Sequence, residues 1–358
     1  MSSLDATRIQ AFAEQALGIV NSGLLSLMMS VGHRTGLFDT LATMPPSTSE
    51  QIAAAAGLNE RYVREWLGAM VTGRIVDYDA EARTYWLPRE HATALTRAAG
   101  PDNLAEFAQY VSLLGQVETA IVNVFRKGGG VGYAAFERFH DLMAESSRTT
   151  LEATLLTRTL PLVPGLVDRL EAGIDVLDVG CGEGVAVRMM AQRFPRSRFV
   201  GLDFATEAIA TATSEADRAG LTNARFVARD AAAFSAPSSF DFITAFDAIH
   251  DQAAPRRVLR VIREALRPGG VFLMVDIATS SHLERNLENP LAPFLFTVST
   301  MHCMTVSLAQ NGEGLGACWG EEKARELLAE AGFASVEVSQ IEGDPLNAYY
   351  VCRVEPAR

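Results

Sequence analysis

The chain has 358 residues, 31 Lys plus Arg against 43 Asp plus Glu for a formal charge of −12, and 48% apolar residues. That is room for two domains and an ordinary core, which excludes a chain disordered throughout. The acidic balance leaves no electrostatic footprint for a nucleic-acid backbone, so a small molecule is the expected partner and nucleic acid is not. Cys181, Cys303, Cys318 and Cys352 form no CxxC pair, which argues against a zinc ribbon or disulfide framework and for a reducing, cytoplasmic compartment.

Near the start, Asp5 and Arg8 precede no compact apolar core with a cleavage site, so no targeting signal is read there. Residues 15–33 lack charge, but Asn21, Ser22, Ser26 and Ser30 interrupt them, against a membrane span. Leu17, Val20, Leu24, Leu27 and Val31 recur at three- and four-residue steps. This spacing predicts a helix with one apolar face, suited to a core or to the interface of a homodimer. Next, helices beginning at Ser49 and at Glu60 flank a Gly57-Leu58-Asn59 turn, and residues 75–78 and 83–87 flank a short hairpin. Helix, turn, helix and hairpin describe a winged helix. Residues 45–100 hold six arginines, no lysine and seven acids, a poor match to a DNA groove. A dimerising module that closes over a substrate is the expectation.

Residues 101–170 read as further helix, broken at Lys127-Gly128-Gly129-Gly130-Val131-Gly132. That run lacks the GxxxxGK[ST] spacing of a phosphate loop and reads as a flexible connection. From about residue 173 apolar strands at 175–179, 198–202, 224–228, 240–246 and 271–275 alternate with helices at 185–194, 206–219 and 255–266. Leu266-Arg267-Pro268-Gly269-Gly270 reads as the turn into the fifth strand, and a helix at 321–331 and an edge hairpin of 335–340 with 348–354 complete the pattern. Alternation of this kind predicts an α/β fold: a doubly wound, mostly parallel seven-stranded sheet covered by helices on both faces.

The most informative stretch is Asp178-Val179-Gly180-Cys181-Gly182-Glu183-Gly184, a buried strand running into a glycine loop that opens a helix. A dinucleotide fingerprint would place glycine at 185, where Val185 stands, so the spacing is GxGxG. With Asp178 before the loop, this resembles motif I of the class I S-adenosylmethionine-dependent methyltransferases. Asp203 ends the second strand 21 residues after Gly182, placed to bind two ribose hydroxyls. Asp230 ends the third strand, where the resemblance implies a contact with the adenine amine. The resemblance thus names S-adenosylmethionine as cofactor, held by Asp178, Gly180, Cys181, Gly182, Gly184, Asp203, Phe204, Asp230, Ala231 and Phe246. It divides the chain into a helical and winged-helix domain over 1–150 and a catalytic domain over 151–358.

Ala248-Ile249-His250-Asp251 narrows the likeness to winged-helix small-molecule O-methyltransferases, mycobacterial-type members included. There the resemblance implies that His250 takes a proton from an acceptor hydroxyl, with Asp276 at the end of the fifth strand orienting it. Imidazole suits proton removal near neutral pH. Met143, Phe296, Met301 and His302 are the expected acceptor wall. Two other readings stay open. His250 and His302 with a transition metal resemble the iron-dependent C-methyltransferases of α-keto acids, although no metal is the principal expectation. A winged helix ahead of a cofactor-binding half also suits a cofactor-sensing transcriptional regulator.

Overall fold

The computed structural model describes residues 4–355. It parts into two compact units between Gly115 and Gln116, ahead of the boundary expected at 150. The front unit begins with a 30-residue helix, Ala6–Thr35, whose first N–H groups at Thr7 and Arg8 are capped by the Asp5 carboxylate. Toward the C-terminal end of this helix the Trp66 indole donates to the Met28 carbonyl at 2.8 Å. There a Cβ on Gly32 would lie 2.6 Å from the Trp66 ring, so only glycine admits the contact. Farther toward the N-terminus, Ile9, Phe12, Leu17, Val20 and Leu24 are exposed. Helices Ser49–Ala56 and Glu60–Thr72 follow, the first opened by a Thr48/Gln51 capping box and the second capped by Asn59. Phe38, Leu41, Ile52, Val63, Trp66, Leu67 and Met70 form their core. The expected wing is present as β1 (Asp77–Asp79) and β2 (Thr84–Trp86), paired antiparallel.

The rear sheet has seven strands in the order β5-β4-β3-β6-β7-β9-β8. These are β3 (Asp175–Val179), β4 (Arg198–Asp203), β5 (Ala224–Ala228), β6 (Phe240–Phe246), β7 (Leu266–Ile277), β8 (Ser335–Ile341) and β9 (Asp344–Arg353). The first five are parallel, while β9 runs antiparallel to β7 and β8. Successive strand residues point to opposite faces. Leu177, Ile243 and Phe272 enter one core with Val258, Leu259, Ile262 and Leu327. Val176, Phe242 and Leu273 enter the other with Met190, Phe194 and Phe199. Burial on both faces is why these strands read as unbroken apolar runs. The chain enters the sheet at β3, builds outward to β5, then returns to β6 on the other side. The carboxyl ends of β3 and β6 therefore flank a topological switch point, the place where such sheets bind ligands.

Two local readings change. Leu266-Arg267-Pro268-Gly269-Gly270 is not a turn before the fifth strand. It lies within β7 as a bulge, with Phe240 paired to Leu266 and Phe242 to Val271, and Gly269 at φ 74°. Within the glycine run, Gly130 and Val131 make a packed contact, while Gly128, Gly129 and Gly132 stay exposed. A Cβ on Gly130 would lie 2.0 Å from the Thr305 carbonyl oxygen, and the Val131 N–H donates to Thr305 Oγ1 at 2.8 Å.

By length and a mean hydropathy of 1.3, helices Ala6–Thr35 and Ala292–Ala309 are both long and apolar enough to cross a membrane. The polar interruptions at Asn21, Ser22, Ser26 and Ser30 therefore do not by themselves decide against a span.

Candidate active site

The glycine loop turns at the carboxyl end of β3. Gly180, Gly182 and Gly184 have φ of 73°, 51° and 71°, the left-handed region that side chains with a Cβ disfavour. Space is short as well: a Cβ at 180 would lie 2.3 Å from Ala248 Cβ, and one at 184 would lie 2.4 Å from the Phe226 ring. The Gly182 N–H donates to Asp203 Oδ2 at 2.9 Å, and Asp203 Oδ1 accepts from the Ala205 N–H. Loop and acid are thus tied at the ends of adjacent strands, β3 and β4. Asp178 is buried beneath them and accepts from Thr244 Oγ1 at 2.7 Å. Burial pushes its carboxyl up to about 7, against the opposing pull of the Thr244 hydroxyl.

The remaining expected cofactor residues follow the strand ends in order. Phe204, after β4, is exposed and edge-on to Tyr133 at 5.3 Å. Asp230, after β5, accepts from the Ala232 N–H at 2.8 Å, with Ala231 buried beside it. Phe246 ends β6 half-buried against the core. Cys181 is half-buried within the loop, and burial holds its thiol well above the ordinary range. A glycine loop held at positive φ at the strand end, open beside Gly182 and tied to a carboxylate on the next strand, fits the close approach of an adenosyl ligand.

Beyond β6, His250 is 3% exposed and its Nδ1 lies 2.7 Å from Asp276 Oδ1. Asp276 is fully buried on β7, and the same oxygen accepts from the Trp319 indole and the Ile277 N–H, each at 2.9 Å. On the other side His250 Nε2 stands 3.3 Å from Asp251 Oδ1. Tyr133 donates its hydroxyl to Asp251 Oδ2 at 2.8 Å. Burial, the largest single influence on His250, opposes its charge. The Asp276 and Asp251 carboxylates together outweigh it and raise the imidazole well above its usual range. Next to this group, Asp247 sits at φ 49° with Oδ1 buried and unpartnered. Burial, then the Asp276 charge, push its carboxyl well above the usual range.

The segment expected to wall the acceptor is a helix, Ala292–Val298, continued by a π turn, Ser299–Cys303, and a last helical stretch, Met304–Ala309. π turns admit one extra residue into a helix and recur at functional sites. Here the turn carries His302, which is 0% exposed, stacked on Phe139 at 3.5 Å and edge-on to Phe136 and Tyr133. Neither of its ring nitrogens has a hydrogen-bond partner, and burial lowers its pKa to about 4, so it is neutral. Phe296 and Met301 are half-buried on the same segment, and Met143 is half-buried on the Phe139–Thr154 helix. Among the described residues, His250, Asp251 and Cys303 form a group of three potential metal ligands, and His302 is not part of it.

Sequence reasoning singled out His250 and Asp276, and the fold brings them into contact. It missed Tyr133, Trp319, Cys303 and Asp247, and it gave Asp251 no role of its own. Only Asp251 carried a local signal, its place beside His250. Tyr133 and Asp251 are 118 positions apart, Trp319 and Asp276 are 43, and such pairings exist only in the folded chain.

A parallel sheet reversing at β3 and β6, with a glycine cradle at the switch and an antiparallel β9 beside β7, defines the class I methyltransferase fold. Residues 23–97 match the family model for the Rv2258c-like winged HTH domain, and residues 170–340 match that for a methyltransferase domain. The chain thus carries a methyltransferase domain of the class I fold behind an Rv2258c-like winged helix-turn-helix domain. It is similar to a ubiquinone biosynthesis O-methyltransferase of Leptothrix cholodnii, 32% identical over 28% of this chain and 43% of that one. A trans-aconitate 2-methyltransferase of Deinococcus radiodurans is 34% identical over 31% of this chain and 41% of its own. The match spans less than half the length of each of these two relatives. Among solved structures, the mitomycin 7-O-methyltransferase MmcR superposes with a TM-score of 0.70 at 19% identity, covering 98% of this chain and 100% of that one. Human N-acetylserotonin methyltransferase does so at 0.67 and 17%, covering 99% and 100%. Identities this low establish the shared fold.

Proposed function

We propose that the protein moves a methyl group from S-adenosylmethionine to an oxygen of a small, largely apolar acceptor, with His250 taking the acceptor's proton. The observation that carries this reading is the buried 2.7 Å contact between His250 Nδ1 and Asp276 Oδ1. Facing an anionic oxygen, Nδ1 keeps its hydrogen, and Nε2, once it has given up the proton that Asp276 and Asp251 favour there, is the nitrogen that takes the acceptor's. The imidazolium that results is stabilised on both sides, by Asp276 and by Asp251.

The cofactor supplies a methyl group on a sulfonium centre, ready for in-line displacement. The chain's own residues do the rest. The backbone at Gly180, Gly182 and Gly184 would let the nucleoside approach closely, and Asp203 would accept from its ribose hydroxyls. Trp319 and the Ile277 N–H hold Asp276, which holds the imidazole, so the base is aligned before the acceptor arrives. Tyr133, Phe136, Phe139 and His302 supply an apolar, water-excluding wall suited to a planar or greasy acceptor. The exposed apolar row of the Ala6–Thr35 helix supports assembly of two copies into a homodimer.

The test is mass spectrometry of a cell extract incubated with the enzyme and deuteromethyl-labelled cofactor, which yields labelled product. His250→Ala is expected to keep cofactor affinity within a few-fold while product formation falls by roughly 10² or more, the usual yield of a positioned base. Unchanged product formation in that variant removes His250 from the chemistry.

A further inference from the structure

We propose that His250 Nε2, the Asp251 carboxylate and Cys303 Sγ form a binding site for a thiophilic divalent cation of the zinc class, and that its occupancy switches methyl transfer off. The blocking half rests on the role proposed above for His250; the binding half does not.

The three ligand atoms lie within 4.8 Å of one another. The Nε2 to Oδ1 separation of 3.3 Å is close to the edge of a tetrahedron built on metal bonds of about 2.0–2.1 Å. Asp251 Oδ1 is buried and faces His250 Nε2 at 3.3 Å, so a cation seated between them would take the place of the proton they share. The outer partners are those a metal site needs. His250 turns its other nitrogen to Asp276 at 2.7 Å, Asp276 is held by the Trp319 indole at 2.9 Å, and Tyr133 fixes the second Asp251 oxygen at 2.8 Å. One nitrogen, one oxygen and one sulfur suit zinc and its softer neighbours far better than magnesium or calcium. Three protein ligands leave a fourth position for water or for an acceptor oxygen.

As the metal bonds form, the Cys303 S–H bond breaks and the proton that His250 Nε2 holds leaves with it, both going to solvent. Nε2 cannot ligate a cation and take up an acceptor proton at once, so the loaded protein lacks its base.

The experiment titrates metal-free, full-length protein with Co²⁺. One equivalent is expected to produce a thiolate-to-cobalt charge-transfer band in the near ultraviolet with strong visible absorption, and Zn²⁺ to abolish both. Cys303→Ala is expected to lose the charge-transfer band. Tyr133→Phe leaves all three ligands in place and is expected to weaken binding by about 10-fold or more, which keeps the site testable where the alanine variant unfolds. No band in the wild type, or a band that survives in folded Cys303→Ala, overturns the site. For blocking, stoichiometric Zn²⁺ is expected to cut wild-type methylation at least tenfold, while the same ratio in Cys303→Ala stays near one. Zinc bound with turnover undiminished overturns that half alone. The cobalt spectrum needs no acceptor, so failure of the metal site and failure of the methyl-transfer reading are separable.

Discussion

Asp276→Asn isolates the charge that holds His250. The substitution preserves shape, and an amide oxygen still accepts from Trp319 and from the Ile277 N–H. What disappears is a unit negative charge whose oxygen lies 2.7 Å from Nδ1 in a fully buried position. Two unit charges about 4 Å apart attract by roughly 4 kcal/mol at an effective dielectric of ~20, nearly three decades in a protonation equilibrium. Asp251 remains, yet the balance that now favours imidazolium shifts toward burial, which favours the neutral ring. The His250 pKa should therefore fall from above its ordinary range toward or below it. Proton-carbon NMR of the imidazole Cε1–H through a pH titration reads this directly, with the His250 resonance identified by its loss in His250→Gln. Once an acceptor is known, turnover at neutral pH should drop by about 10²–10⁴, as when a base loses the acid that sets its tautomer. The alkaline-lying limb of log kcat/KM should move toward acid. A His250 titration that stays in place would refute the reasoning, because the Asp276 charge would then not be what raises the imidazole.

Three further outcomes follow from the same geometry. His302 has its folded pKa lowered to about 4 against about 6.5 unfolded, so between those values the unfolded chain binds the extra proton and stability rises with pH. His302→Phe should remove that slope, making the variant gain on the wild type by about 3 kcal/mol between pH 7 and pH 4, read from urea midpoints at each pH. Gly180→Ala forces a Cβ within 2.3 Å of Ala248 Cβ at φ 73°. Calorimetry should show at least a tenfold loss of affinity for S-adenosylmethionine with the chain still folded. Gly130→Ala meets the backbone at Thr305 O and Ala309 N, at 2.0 and 2.3 Å, where no side chain can give way. It should cost about 3 kcal/mol, the upper end for overpacking, seen as a lowered Tm.

The rear sheet was legible because strands such as β3 and β6 are short, apolar on both faces and followed at once by a glycine or an acid. Strands at 175–179, 224–228 and 240–246 fall where the pattern put them. The glycine cradle was legible for a related reason, since only glycine tolerates those backbone angles. The bulge at 266–270 was not, because Pro-Gly-Gly has the composition of a turn whether or not the ladder continues past it. Nor was the π turn at 299–303, since one extra residue leaves no mark on an apolar helix without a partner to measure against. In the candidate site, His250 and Asp276 could be picked out because each follows the apolar run of a strand. Tyr133, Cys303 and Trp319 lie on segments whose own sequences give no hint of where they pack, and Gly130 looked like slack in the chain when it is a close backbone contact.

The π turn also bears on how such a pocket is reshaped over generations or at the bench. A π turn absorbs one extra residue within a single wide turn, so deleting a single codon between Ser299 and Cys303 restores the regular winding with both flanking helices in register and re-aims only the side chains of the turn, His302 among them. The sheet, the cradle and the His250 imidazole stay put. Acceptor preference is thereby open to change through a one-residue indel, a step that point substitution along the same helix cannot imitate.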